Sequence, residues 1–100
     1  MPKESSNIRE RSRTIIREPG KYDVVFHNDD FTPMDFVTSL LRHIFFKNDT
    51  EADILMLKVH SEGRAVVGTY TYDIAVSKTT DAMSMARQQG FPLRITVVKN

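Results

Sequence analysis

YDVVFHNDDFTPMDFVTSLL, residues 22–41, contains the strand-to-helix turn from which the rest of the fold is read. Its first six residues, Tyr22 to His27, are rich in β-branched and aromatic side chains. They lie between Gly20 and a polar cluster, which predicts a strand. The second half predicts a helix. Thr32 is placed to cap it, and Pro33 suits the first helical position because its missing N–H is not needed there. Asp35 completes a T-x-x-D capping box. Met34, Val37, Leu40, Leu41, Ile44 and Phe45 then recur at helical spacing on one face.

Downstream, Lys47-Asn48-Asp49 interrupts the pattern. A second T-x-x-D, Thr50-Glu51-Ala52-Asp53, predicts a second helix with Ala52, Leu55, Met56 and Val59 as its apolar stripe. Gly63 stands just past its end, and the short gap between the two helices implies a helical hairpin. Arg64 to Tyr70 reads as a strand weakened at Gly68. Thr71 to Gln89 reads as a third helix, with Ile74, Ala75, Ala82, Met85 and Ala86 turned inward and a stop at Gly90 and Pro92. Leu93, Ile95 and Val97 alternate with Arg94, Thr96 and Val98 in a half-buried last strand. The order β-α-α-β-α-β predicts an α+β two-layer sandwich, a three-stranded sheet against three helices. Strand order and direction are not readable from this pattern.

Upstream, residues 1–20 are polar, without sustained periodicity, and close on the breaker Pro19-Gly20. They read as a flexible N-terminal arm before a single domain spanning 21–100. One hundred residues suffice for one small domain with a thin core. Hydrophobic residues make up 40% and charged residues 27%, which predicts a globular chain. No apolar run approaches the roughly 20 residues that span a bilayer, and the N-terminus lacks the apolar region of a signal peptide. The absence of cysteine excludes disulfides and thiol catalysis and fits a cytoplasmic setting. A formal net charge of +1 argues against a nucleic-acid binder that neutralises many phosphates.

Catalytic signatures are missing. There is no G-x-S-x-G elbow, P-loop or G-x-G-x-x-G, and His27, His43 and His60 lack H-x-x-x-H spacing. Metal ligation by Asp29, Asp30 and His60, as in a metal-dependent hydrolase, is the enzymatic alternative, and the expectation is no metal, no cofactor and no enzyme. Binding is better supported. Asp29 and Asp30 precede a helix, where unpaired N–H groups and the macrodipole favour carboxylates. That accounts for one acid, whereas Asn28, Asp29 and Asp30 together, beside an apolar wall, form a seat for an ammonium group. Met34 and Met56, each with a valine one turn on, serve either as core or as an adaptable pocket wall. His60, four residues after Met56, reaches the edge of such a pocket, where a neutral imidazole accepts a proton and an imidazolium does not.

The stretches NDDFTPMDFV (28–37), LMLKVH (55–60), Gly63-x-x-Val66-x-Gly68, Ala75 with Lys78, Ala86-Arg87 and Pro92-Leu93 resemble the ClpS family, adaptors of the ATP-dependent Clp protease. The similarity runs from about Tyr22 to the C-terminus. It implies the fold already read, which is also similar to the C-terminal domain of the ribosomal stalk protein. It further implies recognition of N-degrons, substrates beginning with Leu, Phe, Tyr or Trp. Asn28, Asp30 and His60 would hold the α-amino group, with Asp29 beside them. Thr32, Pro33, Met34, Val37, Met56, Val59 and Leu93 would line the side-chain pocket, and Leu40 matches a further pocket position. The adaptor would dock on the N-terminal domain of a hexameric AAA+ unfoldase, ClpA or a relative, with no nucleic acid or membrane as partner. The arm would take part in handing the substrate over. Two departures stand out. The docking helix usually begins E-x-A-E-x-K, whereas here Asp73 and Lys78 keep the charges and Val76 loses one; and His27 replaces an apolar residue. The rival reading is a generic interaction domain without an N-terminal-residue pocket.

Overall fold

Val24 and Phe26 are completely buried in a strand that is hydrogen-bonded on both sides, and the domain is assembled around them. A computed structural model describes residues 20–100; the arm expected for residues 1–20 lies, except for Gly20, outside the described residues. The elements are β1 (Lys21–His27), α1 (Met34–His43), α2 (Asp49–Glu62), β2 (Arg64–Thr71), α3 (Tyr72–Gln88) and β3 (Arg94–Lys99). The expected β-α-α-β-α-β order is therefore present. The sheet order is β2-β1-β3, with both neighbours antiparallel to β1.

Alternation divides β1 between two faces. Val24 and Phe26 face the helices with Ala65, Val67 and Ile95 from the flanking strands, while Asp23, Val25 and His27 face away. The register on β2 slips between Val24 and Val25, so that Val67 is the extra residue of a bulge beside Gly68. A Cβ at Gly68 would collide with the Tyr70 ring, 2.6 Å from its Cε2, so glycine here admits an aromatic folded back on the strand. Under the sheet Val37, Leu40, Leu41 and Phe45 of the first helical segment meet Ala52 and Val59 of α2. The Phe45 ring stands edge-on to Phe26 at 5.4 Å between centroids.

Of the two expected capping boxes, the first does not form and the second shifts. Neither Thr32 nor Thr50 caps a helix. Pro33, extended at φ −65° and ψ 144°, occupies the cap position of α1, and its carbonyl accepts from the Phe36 and Val37 N–H groups. The Thr32 hydroxyl donates instead to Asp29. At α2 the cap is Asn48, whose side chain accepts from the Glu51 N–H at 2.8 Å, while the Glu51 carboxylate accepts from the Asn48 N–H at 3.0 Å. Gly63, left-handed at φ 88°, ends α2 as expected.

On α3 the inward strip is Ala75, Thr79, Ala82 and Ala86, whereas Ile74 and Met85, expected inside, are exposed. Small side chains let this helix lie close against the sheet. Lys78 fastens it to the helical hairpin. Its Nζ donates to the Ile44 carbonyl at 2.8 Å, satisfying an acceptor at the end of α1, and lies 4.5 Å from the Phe46 ring centroid.

Leu41 is fully buried at the junction of hairpin and sheet. Leu41→Ala is expected to lower unfolding free energy by about 2–5 kcal/mol, measured by urea denaturation, with retained fold by circular dichroism.

Candidate functional site

The end of β1 is tied to the end of α2. The Asn28 N–H donates to the Gly63 carbonyl at 2.8 Å, which holds the segment after the strand against the last turn of that helix. His60 sits in that turn. The intervening segment, residues 28–33, closes over the start of α1. Together these three pieces enclose a cavity of about 330 Å³ lined by Asn28 to Met34, Val37, Met56, Val59 and His60. This volume falls at the lower end of the range for small-ligand sites.

The segment is shaped by one carboxylate. Asp29 Oδ1 accepts from the Phe31 N–H at 2.8 Å and the Thr32 N–H at 2.7 Å, and Oδ2 accepts from the Thr32 hydroxyl at 2.8 Å. Partial burial pushes the Asp29 carboxyl upward. The hydrogen bonds from Thr32 and Phe31, with the positive charge of Arg87, outweigh it and hold the group below its ordinary value. Asp29 is thus engaged within the turn. Asp30 and the side chains of Asn28 and His60 are exposed at the cavity.

The opposite wall is apolar. Val37 and Val59 are nearly buried and form the floor, Met56 is half-buried, and Met34 is 45% exposed at the opening. The cavity therefore joins exposed acceptors to a hydrocarbon floor. Of the residues expected from sequence, Asn28, Asp29, Asp30, Thr32, Pro33, Met34, Val37, Met56, Val59 and His60 come together here. Leu40 and Leu93 are not among the lining residues; each is 1% exposed and packed in the core. Arg87 Nη1 donates to the Leu93 and Phe91 carbonyls at 2.9 and 2.8 Å, fixing that turn from α3 to β3. Phe31 was missed by the sequence reading. It is 77% exposed at the rim, and the available signal was a large aromatic set between Asp30 and Thr32 in a polar turn.

A second concave surface, of about 540 Å³, lies at the start of α3 between His43, Ile44 and Phe46 on one side and Asp73, Ile74, Ser77, Lys78 and Asp81 on the other. Asp73, Ile74 and Phe46 are exposed there. No group of three or more His, Cys, Asp or Glu is arranged to hold a metal ion among the described residues. Among those residues no helix is long and apolar enough to cross a membrane.

Residues 17–96 match the family described as ATP-dependent Clp protease adaptor protein ClpS. The ATP-dependent Clp protease adapter protein ClpS of Burkholderia cenocepacia (strain HI2424) is 46% identical over 92 residues, 92% of this chain and 88% of that protein. The ClpS of Burkholderia pseudomallei (strain 668) matches with the same 46% identity over 92 residues, again 92% of this chain and 88% of its own length. Among solved structures, Agrobacterium tumefaciens ClpS2 bound to L-phenylalaninamide is similar with a TM-score of 0.80 and 35% identity. That match covers 83% of this chain and 100% of the other.

Asp29→Ala is expected to raise amide exchange at Phe31 and Thr32 at least tenfold by NMR, leaving exchange in β1 unchanged. Because the folded carboxyl lies below its ordinary value, its stabilisation is present above the unfolded value, about 3.8, and is lost as pH falls through the folded one. The variant is expected to lose that acid-side dependence, seen as a flatter stability profile below pH ~4.

Proposed function

This chain belongs to the ClpS family of ATP-dependent Clp protease adaptors, and on that premise we propose that it binds proteins whose first residue is bulky and hydrophobic and delivers them to a Clp unfoldase. It is an adaptor and not an enzyme. The observation that carries the substrate reading is one cavity in which exposed acceptors face an apolar floor.

An α-ammonium group is a three-proton donor with a full charge. The Asp30 carboxylate, the Asn28 carboxamide oxygen and a neutral His60 ring nitrogen are acceptors suited to it, and partial desolvation strengthens these charge-assisted bonds. Asp29 supports them by holding the turn. The first side chain enters against Val37, Met56 and Val59, with Met34 and Phe31 at the opening. Burying a leucine or phenylalanine there contributes roughly 1.5–3 kcal/mol. Each half alone binds weakly, so an internal leucine lacks the amine and an N-terminal lysine lacks the apolar fit. The ClpS2 neighbour supports the reading, since its ligand, L-phenylalaninamide, carries one free α-amino group and one aromatic side chain.

For delivery, the surface at the start of α3 is the proposed docking face for the N-terminal domain of a AAA+ unfoldase, ClpA or a relative. Asp73 and Ile74 are available on it. Lys78 acts there mainly by holding Ile44 and Phe46 in position, because its ammonium already has an internal acceptor.

Phe- or Leu-initiated peptides are expected to bind, and acetylating their α-amine is expected to weaken binding at least tenfold by fluorescence anisotropy. Asp30→Ala is expected to do the same to the free-amine peptide. Equal affinity of the acetylated and free forms would refute the ammonium seat. Asp73→Lys is expected to weaken capture by the isolated unfoldase N-terminal domain at least fivefold, with peptide affinity unchanged. If capture is unaffected, docking occurs on another face.

A further inference from the structure

The face of the sheet turned away from the helices carries a row of three basic residues at one end. His27 on β1 is the direct partner of Arg64 on β2 and of Arg94 on β3. Their chain neighbours Phe26, Ala65 and Ile95 are buried against the helices, so alternation sends all three basic side chains to the outer face. Arg64 and Arg94 are exposed and His27 is half-buried. Among the described residues the ion pair formed is Arg42 with Asp49, so no described carboxylate lies within ion-pair distance of either arginine. The His27 Nε2 lies 2.8 Å from Thr96 Oγ1, which fixes the ring.

We propose that Arg64, His27 and Arg94 form a binding site for a single phosphate group. β2 and β3 each lie one strand spacing from β1, so the two arginine Cα atoms stand roughly 10 Å apart. Side chains converging from that span can grip a tetrahedral oxyanion from both sides above the imidazole. Guanidinium forks match phosphate oxygens in pairs, and the imidazole adds a further N–H donor. Two forks and a ring offer more donors than the two oxygens of one carboxylate accept, which favours phosphate over an acidic side chain. Val66, Val25 and Thr96 form the next row of the face, and Val98 stands opposite Asp23 in the row beyond, with Val66 45% and Val98 50% exposed. A single basic row, followed by an uncharged row and then by Asp23, suits one phosphate rather than a nucleic-acid backbone.

Binding at this row is coupled to a proton. Partial burial lowers the His27 imidazole below its ordinary value, and the charges of Arg94 and Arg64 lower it further. A phosphate dianion offsets both arginine charges and favours the imidazolium. The other charged groups near the row are Lys58 and Glu62 of α2, which border a cavity with Arg64. Asp23 of β1 lies beyond Val25, its Oδ1 accepting from the Thr69 hydroxyl and the Asn100 side-chain amide. Phosphate binding therefore takes up a proton at His27 and raises its titration midpoint.

The full-length protein, titrated with sodium phosphate against sodium chloride at constant ionic strength, tests the site by NMR. Saturable shifts of the His27 ring and of the Arg64 and Arg94 Nε resonances are expected, with an upward move in the His27 midpoint. The double variant Arg64→Ser/Arg94→Ser is expected to bind phosphate at least tenfold more weakly, with circular dichroism unchanged. A linear, non-saturating response, or saturation that the double variant retains, would overturn the proposal. A peptide with blocked ends and one phosphoserine distinguishes the sources. Binding at least tenfold tighter than inorganic phosphate assigns a phosphorylated side chain, and equal or weaker binding assigns free phosphate.

Discussion

A strand bonded along both edges cannot shift without breaking two ladders, and β1 is that strand. Its Val24 and Phe26 anchor the core, and its last residue hands the chain to the candidate site. The bond from the Asn28 N–H to the Gly63 carbonyl then joins the strand end to the end of α2. Left-handed Gly63 makes that close approach possible by turning the chain from helix into β2. Asn28 and Asp30 come from one segment and His60 from another remote in sequence, and this joint holds their backbones together. A mobile junction here would leave the acceptors present but uncoordinated.

Two adjacent acids divide the work. Asp29 faces into its own turn and accepts three hydrogen bonds, which fix the segment ahead of α1 and engage the Thr32 hydroxyl. Asp30 stands at the cavity opening with its carboxylate exposed. Reading the pair as one acidic patch would miss that the first builds the surface on which the second acts. The proposed recognition therefore depends on a turn whose stability is electrostatic and on a floor whose stability is hydrophobic. Val37 and Val59 belong to both the core and the floor, so substrate fit and fold stability share the same packing.

Element order was legible because helical and strand periodicities differ and glycine marks the ends. Most of the candidate site was legible too, since it is built from two short segments at a fixed separation, and their resemblance to ClpS pointed to the same residues. Strand order was not, because β1 pairs with segments some forty and seventy residues away and no local signal encodes that choice. The cap of α1 was misread because Thr32 and Asp29 compete for the same turn, and only their three-dimensional placement shows the hydroxyl donating to the carboxylate. Ile74 and Met85 were placed inside on hydrophobicity, whereas close helix–sheet contact favours the smaller Ala75, Ala82 and Ala86. Leu40 and Leu93 are buried in the core, and apolar character alone does not distinguish a core leucine from one that lines a pocket.

The domain thus presents three separate surfaces: a lined cavity at the end of β1, an apolar and acidic hollow at the start of α3, and a basic row on the open sheet. The first of these is proposed to hold an α-amino group and a hydrophobic side chain together. A crystal structure of this protein with L-phenylalaninamide tests it most directly. The amino nitrogen is expected within about 2.7–3.2 Å of the Asn28 and Asp30 side-chain oxygens, with the ring against Val37, Met56 and Val59. An amino group pointing to solvent with Asp30 unengaged, or a ring seated outside this cavity, would contradict it.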